Sequence, residues 1–104
     1  MGGSRVPAHA AGMSTLHLEV TINDVAAFKS GFADHTELRR QAGVHAERVR
    51  HPIGDDAHLI VDLDFDTVEQ AEGFLGILKE RIWKDNPVLV GTPEYKILEP
   101  LALG

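Results

Sequence analysis

Between Leu16 and Glu99 the spacing of apolar residues switches between two periods, and the order of the switches constrains the fold more than any other feature. Apolar residues recur first at every second position, then at helical spacing, then at every second position through two segments. Helical spacing returns, and a last two-period segment follows. A period of two buries one face of a strand, and a period of about 3.6 buries one stripe of a helix. The chain therefore reads strand, helix, strand, strand, helix, strand. This is a split βαβ pattern, in which one sheet carries both helices on one face. The other face must meet water, a second chain or a ligand, and function is expected there.

Leu16-His17-Leu18-Glu19-Val20-Thr21-Ile22 alternates without a break. Leu16, Leu18, Val20 and Ile22 take one face, leaving His17, Glu19 and Thr21 on the other. Asn23 or Asp24 can N-cap the first helix, whose inner face starts with Val25, Phe28 and Phe32. Leu38 and Ala42 continue at helical spacing but out of phase. Asp34 and Glu37 read as a capping box, so a bend or restart is expected near Asp34. Gly43 is placed to end the helix.

A polar strand is expected over Val44 to His51, followed by a turn over Pro52 to Asp56. The third strand is His58 to Phe65, with Leu59, Val61, Leu63 and Phe65 on one face and His58, Ile60, Asp62 and Asp64 on the other. Thr67 and Gln70 form a capping-box signature, and Ala71, Phe74, Leu75, Leu78 and Ile82 give the stripe of the second helix. The stripe dissolves at Trp83-Lys84-Asp85-Asn86-Pro87. Val88 to Val90 is a short apolar run, set apart by a Gly91-Thr92-Pro93 turn from a last strand over Glu94 to Glu99. The first and third strands are expected as parallel neighbours at the sheet centre, about 4.8 Å apart. The second strand adds Arg48 and Arg50, or Glu47 and Val49, according to register.

A chain of 104 residues is one domain. At that size a partner's added burial matters for stability. The net charge of −6 argues against nucleic acid and anionic membranes, which both select clustered Lys and Arg. With no cysteine, disulfides, Fe–S clusters and thiolate zinc sites are excluded, and a cytoplasmic location fits. No apolar run reaches the roughly 20 residues of a membrane span. Residues 1–12 are rich in Gly and Ala and lack a signal-peptide core, so they read as a disordered extension or cloning remnant. The domain is then 13–104.

The element order resembles the dimeric α/β-barrel superfamily over about residues 16 to 100. That superfamily includes the antibiotic-biosynthesis monooxygenase domain. Local echoes are Asp24-Val25-Ala26-Ala27-Phe28, Arg39-Arg40-Gln41-Ala42-Gly43, and Leu63-Asp64-Phe65-Asp66-Thr67 leading into Ala71-Glu72-Gly73-Phe74-Leu75. These are similar to small cyclase-like members. The resemblance implies an α+β, ferredoxin-like βαββαβ fold: a four-stranded sheet with two helices on one face, paired as a homodimeric α/β barrel. It implies a pocket between each sheet and its helices or along the barrel. The activities it brings are cofactor-free oxidation of phenols and quinols, polyketide cyclisation, lactone isomerisation and haem degradation, beside members with no known reaction. Haem-degrading members use an Asn, a Trp and a helix His; Asn23 and Trp83 exist here, but no histidine follows His58.

Histidine titrates near neutrality, so His17 with Glu19 and Asp62 are candidate catalytic groups, as is His35. An exposed or interface hydrogen-bonding face is the competing explanation. His35 and Arg39 stand four apart and share a helix face. Arg39, Arg48, Trp83 and Tyr95 are candidate substrate-binding residues, against solvated-face roles for the arginines and packing roles for the aromatics. His17, Glu19, His58 and Asp62 match no metal-ligand spacing, and no cofactor site is expected. The expectation is a small-molecule-binding homodimer, catalysing a cofactor-independent oxidation or cyclisation, or else a non-catalytic binding or accessory module. A purely structural domain is the third reading.

Overall fold

The alternation at the start of the chain forms β1 (Ser14–Ile22), a central strand of the sheet. The computed structural model describes residues 13–103; the reading of residues 1–12 as an extension lies outside them. β1 is followed by α1 (Val25–Asp34), α2 (Thr36–Ala42), β2 (Ala46–Arg50), β3 (His58–Phe65), α3 (Val68–Ile77) and β4 (Leu89–Leu98). A single wide π-helical turn, Leu78–Ile82, extends α3. The four strands form one sheet in the order β2-β3-β1-β4. This is the ferredoxin-like α+β fold expected from the sequence.

One expectation about the sheet is overturned. β1 and β3 are central neighbours, but they pair antiparallel, with His17 opposite Asp62 and Leu18 opposite Val61. The cause is the hairpin. The crossover from β1 delivers β2 at the far edge, and the turn at Pro52–Asp56 sends β3 back against it. Asp55 N–H donates to the Pro52 carbonyl at 3.0 Å, and Gly54 takes the positive φ of 88° that this turn needs.

The helix break falls at His35, one residue beyond the expected place. The Asp34–Glu37 capping box does not form; Glu37 instead accepts from Arg40 and Gln41. The break re-phases the chain, so that Val25, Phe28 and Phe32 before it and Leu38 and Ala42 after it all pack on the core. Gly43 ends α2 with φ 104°, and its own N–H and that of Val44 bond back to the Arg40 and Arg39 carbonyls. The Thr67–Gln70 capping box is present at α3.

β4 is longer than predicted. Gly91-Thr92-Pro93 does not end a segment; it lies inside the strand, where the register with β1 shifts between Glu19 and Thr21. Gly91, at φ 75°, permits the irregularity, and an edge strand tolerates a proline that lacks an N–H. β2 is shorter than predicted, losing two residues at its start and one at its end.

The core lies between the sheet and the helices. Leu16, Leu18, Val20 and Ile22 of β1 and Leu59, Val61, Leu63 and Phe65 of β3 meet Ala71, Phe74, Leu75 and Leu78. Phe65 and Phe74 touch with ring centroids 6.1 Å apart.

Two glycines give opposite expectations. A Cβ on Gly43 would sit 2.7 Å from the Gln70 amide, in a backbone conformation that disfavours L side chains. Gly43→Ala should therefore destabilise by about 1–2 kcal/mol. Gly73 lies inside α3 with open space around it. Gly73→Ala should stabilise by about 0.5–1 kcal/mol. Urea denaturation of the two variants checks both signs.

Candidate functional site

The two faces of the sheet hold two different constellations. On the open face, β1 presents His17 and Glu19, β3 presents His58, Asp62 and Asp64, and β2 presents Arg48 and Arg50. The register thus selects Arg48 and Arg50, and sends Glu47 and Val49 to the helix side. Asp62 is only 5% exposed. Its Oδ1 accepts from His17 Nδ1 at 2.7 Å and its Oδ2 from Arg50 Nη2 at 2.8 Å. His17 Nε2 faces Glu19 Oε2 at 3.1 Å, and Glu19 Oε1 also accepts from His58 Nε2 at 3.1 Å. Beside them, Asp64 accepts from Thr15 Oγ1 and Arg48.

These contacts fix the chemistry of His17. Both its ring nitrogens face carboxylates, which only accept, so the ring that satisfies both is the imidazolium. The Glu19 carboxylate first, and Asp62 second, hold the His17 pKa above its usual value. Glu19 is held below the usual carboxylate range by His17 and then His58, and Asp64 by Arg48. A doubly donating imidazolium has no lone pair with which to take a proton. The structure thus brings His17, Glu19 and Asp62 together as one satisfied network.

On the helix face lies a cavity of about 200 Å³. Leu18, Val20, Val61 and Leu63 form its floor. One wall is the stacked pair Phe28 and Phe32, at 5.6 Å between centroids. The opposite wall is Leu78, Ile82 and Trp83. The π-helical turn makes that wall. The Trp83 N–H bonds the Leu78 carbonyl at 2.7 Å, five residues back. In an α-helix a residue five positions on points well away from the first; the wider turn brings Trp83 round toward Leu78, and such turns recur at functional sites.

Three polar residues join this apolar lining: His35, Arg39 and Asn86. His35 stands at the helix break and its Nδ1 lies 2.7 Å from the Gly31 carbonyl. A carbonyl only accepts, so Nδ1 carries the hydrogen, and in the neutral ring Nε2 carries the lone pair. Arg39 is 5% exposed and already occupied. Nε and Nη2 donate to Glu47, Nη1 to the Phe32 carbonyl and Nη2 to Thr36 Oγ1, while the guanidinium lies 3.6 Å over the Phe32 ring. It ties α1, α2 and β2 together. Asn86 holds its loop, donating to the Ile82 carbonyl and accepting from Val88 N–H.

Of the residues singled out from sequence, His35, Arg39 and Trp83 line the cavity, whereas His17, Glu19, Asp62 and Arg48 lie on the opposite face of the sheet. Tyr95 is outside the cavity and stacks behind Trp83 at 6.2 Å. Asn23 anchors the corner, donating to the Pro87 carbonyl. Phe28 and Phe32 were legible as a helix stripe but not as a cavity wall, and nothing in the sequence marked Asn86. Among the described residues, no group of three His, Asp or Glu side chains is arranged to hold a metal ion, and no helix is long and apolar enough to cross a membrane.

No protein-family model matches the chain, and no curated protein matches its sequence. Solved structures do match in three dimensions. A candidate antibiotic biosynthesis monooxygenase from Nitrosomonas europaea is 12% identical with a TM-score of 0.68, over 88% of this chain and 92% of that one. SnoaB, a cofactor-independent oxygenase from Streptomyces nogalater solved as a mutant, is 15% identical with a TM-score of 0.62, over 89% and 94%. A dimeric ferredoxin-like protein from an uncultured marine organism is 13% identical with a TM-score of 0.57, over 89% and 96%. The chain shares the ferredoxin-like fold of antibiotic-biosynthesis-monooxygenase-like proteins, as the sequence resemblance implied.

The His17 network predicts a pH dependence with a defined sign. A histidine whose pKa is raised by folding stabilises the fold fully below its unfolded value of about 6.5 and loses that contribution as pH rises through the folded value. The His17 ring-proton signal in NMR should titrate above the free-histidine midpoint. Denaturation midpoints of wild type should fall with rising pH on the alkaline side, and His17→Gln should lack that fall.

Proposed function

We propose that this protein is a homodimer that binds a small apolar or aromatic molecule in the cavity between helices and sheet and acts on it as a cofactor-independent monooxygenase or cyclase. The observation that carries the proposal is the apolar cavity with a single histidine in its lining. His35, with Nδ1 committed to Gly31, offers Nε2 as a base for a substrate hydroxyl or acidic C–H. Trp83 and the phenylalanine pair would hold the substrate ring. The likeness to SnoaB, a cofactor-independent oxygenase, supports the reaction class, and the dimeric neighbour supports the pairing. His17, Glu19, Asp62 and Arg48 belong in this proposal to the sheet face that the second copy covers; a catalytic role for them would need a substrate inside the barrel. A cytoplasmic location is part of the same reading.

A second reading has its own support. Arg39 spends nearly all of its donors on Glu47, Phe32 and Thr36, so the cavity holds few free polar groups. A dimeric, non-catalytic ligand-binding or accessory module would need no more.

Oxygen uptake and product formation with a panel of phenols and quinols separate the two. Catalysis predicts that His35→Ala lowers turnover by roughly 10²-fold or more, with binding retained. Equal rates for wild type and His35→Ala would remove the base role. Thermal shifts by the same compounds without turnover would establish the binding module.

A further inference from the structure

A cation lies over Phe32 of one aromatic wall, and another over Tyr95, the ring that packs against Trp83 of the second. Behind Phe32 lies the Arg39 guanidinium, 3.6 Å from the ring centroid. Behind Trp83 lies Tyr95, its ring tilted by 34° and centred 6.2 Å away, and over Tyr95 lies Lys79 Nζ at 4.4 Å. Arg39 is tethered to Glu47 on β2, and Tyr95 is held by its pairing with Leu18 in the sheet. The sheet thus anchors both backings. Moving either ring aside breaks its stacking and its cation–π attraction, about 0.5–1.5 kcal/mol each. Tyr95 is not in the cavity lining; it acts only through Trp83.

We propose that Tyr95, clamped under Lys79, positions Trp83 as a fixed wall that restricts the cavity to ligands with one aromatic ring. This rests on the reading of the cavity as the ligand site and adds its size selection. The volume carries the argument. An apolar cavity of about 150 Å³ accommodates benzene, and typical drug-sized pockets run to roughly 300–1,000 Å³. At about 200 Å³ this cavity holds one ring with small substituents. A three-ring molecule fits wholly inside it only if a wall moves. The floor is central sheet, and Phe32 is locked by a buried, multiply bonded arginine. The Trp83 wall stands on the π-helical turn and is held from behind by the half-exposed Tyr95 of an edge strand, so it is the wall that a surface substitution can release.

The test uses the full chain, with p-cresol as the one-ring probe and 2-hydroxyanthracene as the three-ring probe. Dissociation constants come from calorimetry, and acrylamide quenching of Trp83, the only tryptophan, reports its mobility. Wild type is expected to prefer p-cresol by about tenfold or more, in line with the discrimination that pocket walls achieve. Tyr95→Ala should lower that preference by about tenfold, through tighter binding of the three-ring probe. Its p-cresol affinity should be nearly unchanged, and Trp83 more easily quenched. Tyr95→Phe keeps the ring and should behave as wild type. Trp83→Leu, which shortens the wall itself, should shift the preference in the same direction as Tyr95→Ala.

An unchanged preference in folded Tyr95→Ala and Trp83→Leu would overturn the positioning role while leaving the cavity as the ligand site. Equal binding of both probes by wild type would overturn the size restriction. If neither probe bound wild type, the cavity reading would fall and this inference with it.

Discussion

The structure depends on β1 being two-faced. Its even-numbered residues from Leu16 to Ile22 drive the helices onto one side of the sheet by removing apolar surface from water, and its odd-numbered residues carry His17 and Glu19 to the other. Because β1 is central, with β3 and β4 on either side, a one-residue slip would place His17 and Glu19 in the core and the leucines in the open. The register that buries Leu18 is the register that sets His17 opposite Asp62. Core and polar network are specified by the same pairing.

This coupling separates two kinds of chemistry by the thickness of a sheet. On the open face, charges neutralise one another along the strands, with Asp62 between His17 and Arg50 and Glu19 between His17 and His58. Buried or covered charge is tolerated only when paired, and this network is paired within one chain. A second sheet can therefore cover Asp62 and Glu19 with their partners already in place. On the helix face the lining is aromatic and aliphatic, and the polar groups there are spent on holding helices and loop in place, apart from the His35 Nε2. A reactive group is useful where it is unsatisfied, and by that criterion His35 differs from His17.

The break between α1 and α2 and the π-helical turn after α3 flank the same cavity, and both are departures from regular helix. The first frees the Gly31 carbonyl side of the helix end for His35 and re-phases the chain so that Arg39 reaches Glu47. The second carries Trp83 round toward Leu78. The irregularities shape the site, while the regular strands supply its floor.

Much of the fold was legible because periodicity reports burial directly: the six-segment order, the core leucines of β1 and β3, the Thr67–Gln70 cap and Gly43 all follow from local pattern. That His17 and Asp62 share a face also followed, since alternation is strict in both strands. That β1 and β3 run antiparallel follows from the hairpin at Pro52–Asp56, whose turn residues were legible, and not from spacing, because a period of two is the same in either direction. The sequence could not show that Gly91 to Pro93 bends a strand without ending it, since turn residues look alike in a bulge and in a loop. The cavity was decided only by tertiary structure: a void is a property of how side chains from Phe28, Phe32, Val61 and Trp83 fail to meet. Sequence by itself determined which residues are apolar and which titrate and, in β1 and β3, on which face each falls. Packing decided which titratable groups find partners, because that depends on distances between residues far apart in the chain, which no local pattern encodes.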